Sequence, residues 1–226
     1  MRRTLLALAL CLAVTGAQAH DDDDDNDTSR INGGVHAEAG KNYGDLSTVN
    51  GGISIDTGAV IKDADTVNGG IDIDDKAQLH NANTVNGGIT AGAGVQVSKD
   101  LETVNGGIRV GFNSHVGGDI STVNGGILVQ QTEVGGRVHT INGDITIGAK
   151  SHVAGGILVE KPNNGGFNIS FGKQRTPRVV IGPNAVVDGE LRFEREVELF
   201  VHPSAKIGKV IGATAKPYTD TLPARP

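Results

Sequence analysis

The chain has 226 residues, 34 of them glycine, with five Phe, two Tyr, no Trp and a net charge of −6. So few large side chains exclude a conventional globular core of this length, which draws on aromatic bulk. No basic stripe with interleaved aromatics is present, which excludes a nucleic-acid partner, and the single cysteine, Cys11, excludes an internal disulfide.

Residues 1–19 read as a signal peptide. Arg2-Arg3 is a basic start, Leu5 to Val14 an apolar run, and Ala17-Gln18-Ala19 a cleavage site before His20. The apolar run is too short to span a bilayer. The chain is therefore expected to be exported, to the periplasm, cell surface or medium, and not to span a membrane after cleavage. Residues 20–30 form an acidic leader, His20 followed by Asp21–Asp25 and Asp27, expected to be disordered because like charges repel. A freed α-amine, the His20 imidazole and the carboxylates of Asp21 and Asp22 are one candidate for a loosely held divalent cation. No other cofactor is expected.

The body begins at residue 31 with a hexapeptide that keeps returning. Thr-Val-Asn-Gly-Gly-Ile stands whole at Thr48–Ile53, Thr66–Ile71, Thr84–Ile89, Thr103–Ile108 and Thr122–Ile127. Degenerate copies sit at Ile31–Val35 and Thr140–Ile145. The asparagines Asn32, Asn50, Asn68, Asn86, Asn105, Asn124 and Asn142 are spaced by 18 or 19 residues, and so short a fixed period means a repeat architecture.

Within one unit, Ile53 and Ile55 alternate with Ser54 and Asp56, as in a strand. Thr57-Gly58 is a turn signal, Ala59 and Ile61 alternate again, and Lys62-Asp63 turns into the next copy. Each unit thus holds three short strands. The spacing predicts an all-β chain folded as a single-stack, three-sided parallel β-helix over residues 31–212, with about 18 residues per coil, about ten coils and a right-handed coil favoured. A hairpin array with an Asn-Gly turn in each unit is the alternative. Asn-Gly-Gly is expected at a corner, with Asn and Gly taking left-handed conformations. The asparagines are expected to form a hydrogen-bonded ladder and the threonines a second one. Each coil is expected to bury Val or Ile from the corner.

The later coils loosen the motif. Val110–Ile120, Ile147–Ile157 and Ile181–Leu191 repeat a Gly-x-x-Ser/Ala-x-Val pattern, Val201–Ile207 is a further, looser copy, and Asn164-Gly165-Gly166 reads as an eighth corner. Phe167, Phe171, Phe193 and Phe200 suggest a wider core there. Residues 213–226 form a tail containing Pro217, Pro223 and Pro226.

The Thr-Val-Asn-Gly-Gly-Ile units resemble bacterial β-helical adhesin-type repeat domains. The units around Ser151-His152-Val153 and Ile181-Gly182-Pro183-Asn184-Ala185-Val186-Val187 resemble bactofilins, polymer-forming proteins with right-handed three-sided β-helices. These resemblances imply a structural or self-assembling role, with the chain itself, end to end, or cell-surface components as partners. Ile181–Val187 alone also resembles the hexapeptide repeat of left-handed acyltransferases.

Two further side-chain sets are candidates. His115, Glu133 and His152 fall at one outward position of successive coils, and imidazole and carboxylate are transition-metal ligands. Their alignment is off by one residue, because the turn before Glu133 is shorter. Asp56, Asp63, Asp72, Asp74 and Asp75 crowd two coils, and paired carboxylates serve glycoside chemistry. Turns of two or three residues leave no walls for a substrate groove, and no nucleophile–base–orienter set assembles. The expected function is that of an exported, non-enzymatic β-solenoid, structural, adhesin-like or self-assembling. The alternative is a β-helical carbohydrate-active or carbohydrate-binding protein.

Overall fold

The computed structural model describes residues 26–162 and 175–219. The signal segment, most of the acidic leader and the Asn164-Gly165-Gly166 corner lie outside them, as do Phe167 and Phe171. The described chain is an all-β parallel solenoid of about nine turns of roughly 19 residues, with no helix.

Three parallel sheets form its sides. The Thr–Asn sheet runs through ten strands, from Thr28–Asn32 and Leu46–Asn50 to Leu191–Phe193 and Val210–Ile211. The Ile sheet also has ten, from Val35–Ala37 and Ile53–Ile55 to Glu198–Val201 and Ala215–Pro217. The short-strand sheet has seven two-residue strands, from Gln78–Leu79 to Lys206–Ile207, extended by bridges at Asn42 and Val60. Ten strands enclose nine turns, so the rod is about 43 Å long at the spacing between paired strands. Strand pairing starts at Thr28 and ends at Pro217, outside 31–212 at both ends.

A coil in the body of the rod turns six side chains inward. In the second coil they are Leu46, Thr48, Ile53, Ile55, Ala59 and Ile61, all buried. Ile53 and Ile55 bury as the alternation predicts, and each fully buried aliphatic is worth about 1.5–3 kcal/mol. The Thr-Val pair is inverted relative to expectation. Thr48, Thr66, Thr84, Thr103, Thr122 and Thr140 point inward and are buried, while Val49, Val67, Val85, Val104 and Val123 are half-exposed. Strand alternation forces this, because the residue two before each Thr is already the inward Leu, Ala, Ile or Val.

The buried threonines do not bond one another. Each Oγ1 donates to the carbonyl of the first corner glycine of the preceding coil: Thr48 to Gly33 at 3.0 Å, Thr66 to Gly51, Thr84 to Gly69 and Thr103 to Gly87 at 2.8 Å, Thr122 to Gly106 at 2.9 Å, and Thr140 to Gly125 at 3.4 Å. The hydroxyl is satisfied without leaving the core, so a polar residue is tolerated there. Thr103→Val is expected to cost about 1–3 kcal/mol by stranding the Gly87 carbonyl, and Thr103→Ser much less. Urea denaturation of the two variants checks this.

The glycines of the same corner are there for space rather than for handedness. Among the described Asn-Gly motif glycines only Gly33, in the first coil, has a left-handed φ (+102°). A Cβ on Gly69 would lie 2.0 Å from the Gly51 carbonyl oxygen, and one on Gly106 1.9 Å from that of Gly87. The left-handed residue belongs to the corner between the Ile and short-strand sheets. There Gly40, Gly58, Lys76, Gly94, Asn113, Gln131, Lys150 and Asn184 all have φ between 48° and 70°.

The later coils keep this geometry. Phe193 points inward, in register with Val159, but Phe200 faces outward in register with Val180, so of these two described residues Phe193 alone enlarges the core. Buried Arg178 bonds Glu198 through Nε (3.1 Å) and Nη2 (3.0 Å) and stacks 5.1 Å from the Phe200 ring. Tyr218 docks edge-on against His202, which holds the start of the tail against the body.

Candidate functional site

The outward face of the Asn-Gly-Gly corner carries the asparagine ladder. Nδ2 of Asn50, Asn68, Asn86, Asn105, Asn124 and Asn142 donates to Oδ1 of the asparagine one coil earlier, at 2.9–3.1 Å. Strand pairing places these asparagines directly opposite one another, so the amides stack without a register shift. The ladder stops at Asn142. Val159 pairs with Thr140, which sets Lys161 opposite Asn142. Arg195 closes the end, its Nη1 donating to Asn142 Oδ1 at 2.7 Å and to the Ile141 carbonyl at 3.1 Å.

His115, Glu133 and His152 share an outward column of the short-strand sheet. Despite the shorter turn, they are in direct register, His115 opposite Glu133 and Glu133 opposite His152. The missing residue is absorbed at the left-handed corner, before the strand begins. His115 Nδ1 lies 3.5 Å from Glu133 Oε2, but His152 turns the other way, with Nε2 2.6 Å from Asp188 Oδ2. The three side chains therefore do not converge. Among the described residues, no three His, Cys, Asp or Glu side chains could hold a metal ion together. The column lines an open groove of about 740 Å³ with Gln96, Asn113, Gln131 and Lys150, where Gln131 Nε2 donates to Asn113 Oδ1 at 2.9 Å. Such a surface offers alternating donors and acceptors to a polar ligand. His20, Asp21 and Asp22 lie outside the described residues.

The aspartates of the second and third coils are dispersed. Asp56 pairs with His36 at 3.3 Å, Asp63 accepts from Asn81 Nδ2 at 2.9 Å, and Asp75 Oδ1 caps the Ala93 N–H at 2.7 Å. Asp72 and Asp74 are exposed. Asp63 borders the Thr–Asn sheet and Asp72 stands on the Ile sheet, so no carboxylate pair forms across a cleft.

Sequence reasoning missed two polar columns on the Thr–Asn sheet. Three residues before each motif Thr stand Asp45, Asp63, Asn81, Asp100 and Asp119, which tie coil to coil. Asp27 Oδ1 accepts the Asp45 N–H, Asn81 Oδ1 the Asp100 N–H, Asp100 Oδ1 the Asp119 N–H and Asp119 Oδ1 the Arg137 N–H, at 2.6–3.2 Å. Immediately before each Thr stand Ser47, Asp65, Asn83, Glu102, Ser121 and His139, facing outward in register. The signal was available as a polar residue ahead of every motif copy.

Burial, with Asp63 and Asp45 nearby, raises the Asp65 carboxyl above the ordinary range, although Asn83 Nδ2 donates to it at 2.9 Å. Burial, with Asp100 beside it, raises Glu102 likewise, and burial lowers His139 against the pull of Glu160. A raised carboxyl contributes stability below its unfolded pKa and loses it as pH rises through the folded value. Asp65→Asn is therefore expected to raise Tm at pH 7, the gain vanishing below about pH 3.9, where the unfolded carboxyl is also protonated. His139 acts in the opposite sense, withdrawing stability as pH falls from about 6.5. Thermal melts of parent and Asp65→Asn across pH 3–8 separate the two.

Among the described residues, no helix is long and apolar enough to cross a membrane. Comparison of the chain with family models, with curated proteins and with solved structures finds no match.

Proposed function

We propose that the chain is an exported, non-enzymatic structural rod that displays repeated polar columns, in the manner of an adhesin-type or scaffold element. The observation that carries this is the repeated stitching of the coils from Asn32 to Asn142. Asparagine amides, threonine hydroxyls and aspartate caps recur on rung after rung, so the side chains serve stiffness rather than one cleft. Export is supported by the sequence of residues 1–19 alone. The likeness to adhesin-type and bactofilin repeats supports the reading at the level of fold.

The rod is of finite length. In the first coil Arg30 occupies the register of the inward threonines, but it is exposed and its Nη1 donates to the Gly34 carbonyl at 2.7 Å. Tyr43, at the inward position ahead of Ile61, packs against the core from that end. At the other end the last Ile-sheet strand carries Lys216 and Pro217, and proline cannot donate to a further ladder. Charge and proline on edge strands oppose continued pairing. Small-angle scattering of the purified protein is expected to give a rod about 43 Å long at every concentration. Filaments that lengthen with concentration would replace this reading with a self-assembling one. Turnover of polysaccharide substrates by the same preparation would replace it with a carbohydrate-active one.

A further inference from the structure

The column that precedes each motif Thr stitches the rod only up to Asn83, where Ser29 Oγ bonds Ser47 Oγ at 2.8 Å and Asn83 Nδ2 donates to Asp65. Asp65 is bonded to Asn83, but Glu102, Ser121 and His139 on the following rungs serve no comparable inter-coil bond. Ser121 is 5% exposed and His139 8%, although both stand on the outward side of a sheet. Ser121 Oγ lies beside Glu102 without a hydrogen bond of normal geometry, and His139 Nε2 has no hydrogen-bond partner. The nearest carboxylate oxygen to that nitrogen, Glu160 Oε1, is 3.7 Å away, beyond bonding length. Buried polar atoms left unpaired cost stability, and such exceptions call for an explanation.

A ligand for this face must be positively charged and rich in donors. The carboxylates of Asp65 and Glu102 present acceptors, Ser121 Oγ and the His139 imidazole nitrogen lie covered in the same column, and the neighbouring corner column adds the carboxylates of Asp63, Asp100 and Asp119. A bare metal ion fits poorly, because no three acidic or imidazole side chains converge among the described residues. The acceptors are instead strung along the rod axis at a rung spacing of about 4.8 Å. Ammonium groups three or four methylenes apart repeat on that scale, and one of them, entering between the covered His139 Nε2 and Glu160 Oε1 as the Glu160 side chain turns aside, bonds both. Arg137, exposed in the corner column, bounds the acidic stretch.

We propose that the outward face of the Thr–Asn sheet, from Asp65 to His139, is a binding site for a linear polyamine. Its nitrogens lie along the column against Glu102, Ser121 and the gap between His139 and Glu160. This goes beyond the structural role and does not depend on it.

Spermidine titrated calorimetrically into the full protein in 150 mM NaCl tests the site. Saturable binding is expected, weakened at least tenfold by Glu102→Gln and severalfold by Ser121→Ala. Asp72→Asn, on the Ile sheet, is expected to bind as the parent does, and magnesium chloride at equal ionic strength to give no comparable binding. In the unsubstituted protein, amide shifts on adding spermidine are expected at residues 102, 121 and 139. No saturable binding, an equal loss in Asp72→Asn, equivalent binding of magnesium, or shifts confined to His115 and His152 would each overturn the proposal.

Discussion

Gly106→Ala is expected to destabilise the rod by about 3 kcal/mol or more, at or beyond the upper end of ordinary overpacking costs. The added Cβ would lie 1.9 Å from the Gly87 carbonyl oxygen and 2.8 Å from the Gly88 nitrogen. Both are backbone atoms of the coil below, so no rotamer change relieves the clash. The same carbonyl accepts from Thr103 Oγ1, so opening the rung to admit the methyl also breaks a stitch. Gly94→Ala makes the contrast. Gly94 has φ +69°, and the nearest atom to its Cβ position is Lys76 Cγ at 3.5 Å. Its cost is conformational only, about 1–2 kcal/mol, and Gly94→Asn is expected to cost less still, since Asn113 already occupies that column with φ 58°. Equal destabilisation of Gly106→Ala and Gly94→Ala in urea melts would refute the distinction between the two corners.

Ile71→Asp is expected to be more severe. Ile71 is fully buried in a middle coil, between Ile53 and Ile89. The substitution forfeits the aliphatic burial, about 2–5 kcal/mol for comparable truncations, and places a carboxylate where no partner is at hand. Together these rival the whole stability of an ordinary domain, about 5–15 kcal/mol. Because each coil contacts only its neighbours, the damage should be regional. Hydrogen exchange is expected to show protection lost over the coils flanking residue 71 and kept from residue 145 to 191. Val104→Thr, on the outward side of a strand, should cost less than about 1 kcal/mol. A soluble Ile71→Asp protein with an unchanged exchange pattern would show that the inward assignment of the Ile sheet is wrong.

The coil itself was legible because its signals are local and repeated. Spacing of Asn-Gly-Gly fixed the rung, and alternation of Ile53 with Ser54 and Asp56 fixed one face of it. What escaped was whatever depends on the coil below. Glycine in a turn invites a conformational explanation, yet the close approach of Gly87 to Gly106 exists only after stacking. Thr and Val have similar shapes, so Thr-Val gave no hint of which one faces inward. The partner that lets Thr103 enter the core is a carbonyl sixteen residues away. The His115–Glu133–His152 column was legible as a column, but the turning of His152 toward Asp188 follows from rotamers that no sequence pattern records. The polar position ahead of each motif copy was in plain view. The hexapeptide stands out because its identity is what repeats, whereas Asp65, Asn83, Glu102, Ser121 and His139 share only polarity.

The asparagine amides all point the same way. Every Nδ2 reaches toward the N-terminal coil and every Oδ1 toward the C-terminal one. Asn32 thus presents its donor end at one extremity, while the acceptor end at Asn142 is already covered by Arg195. The rod therefore has a head and a tail, and it cannot be turned end for end without exchanging donor for acceptor. Whatever anchors it in place meets a directed object, so an attachment at the head orients every column along its length at once.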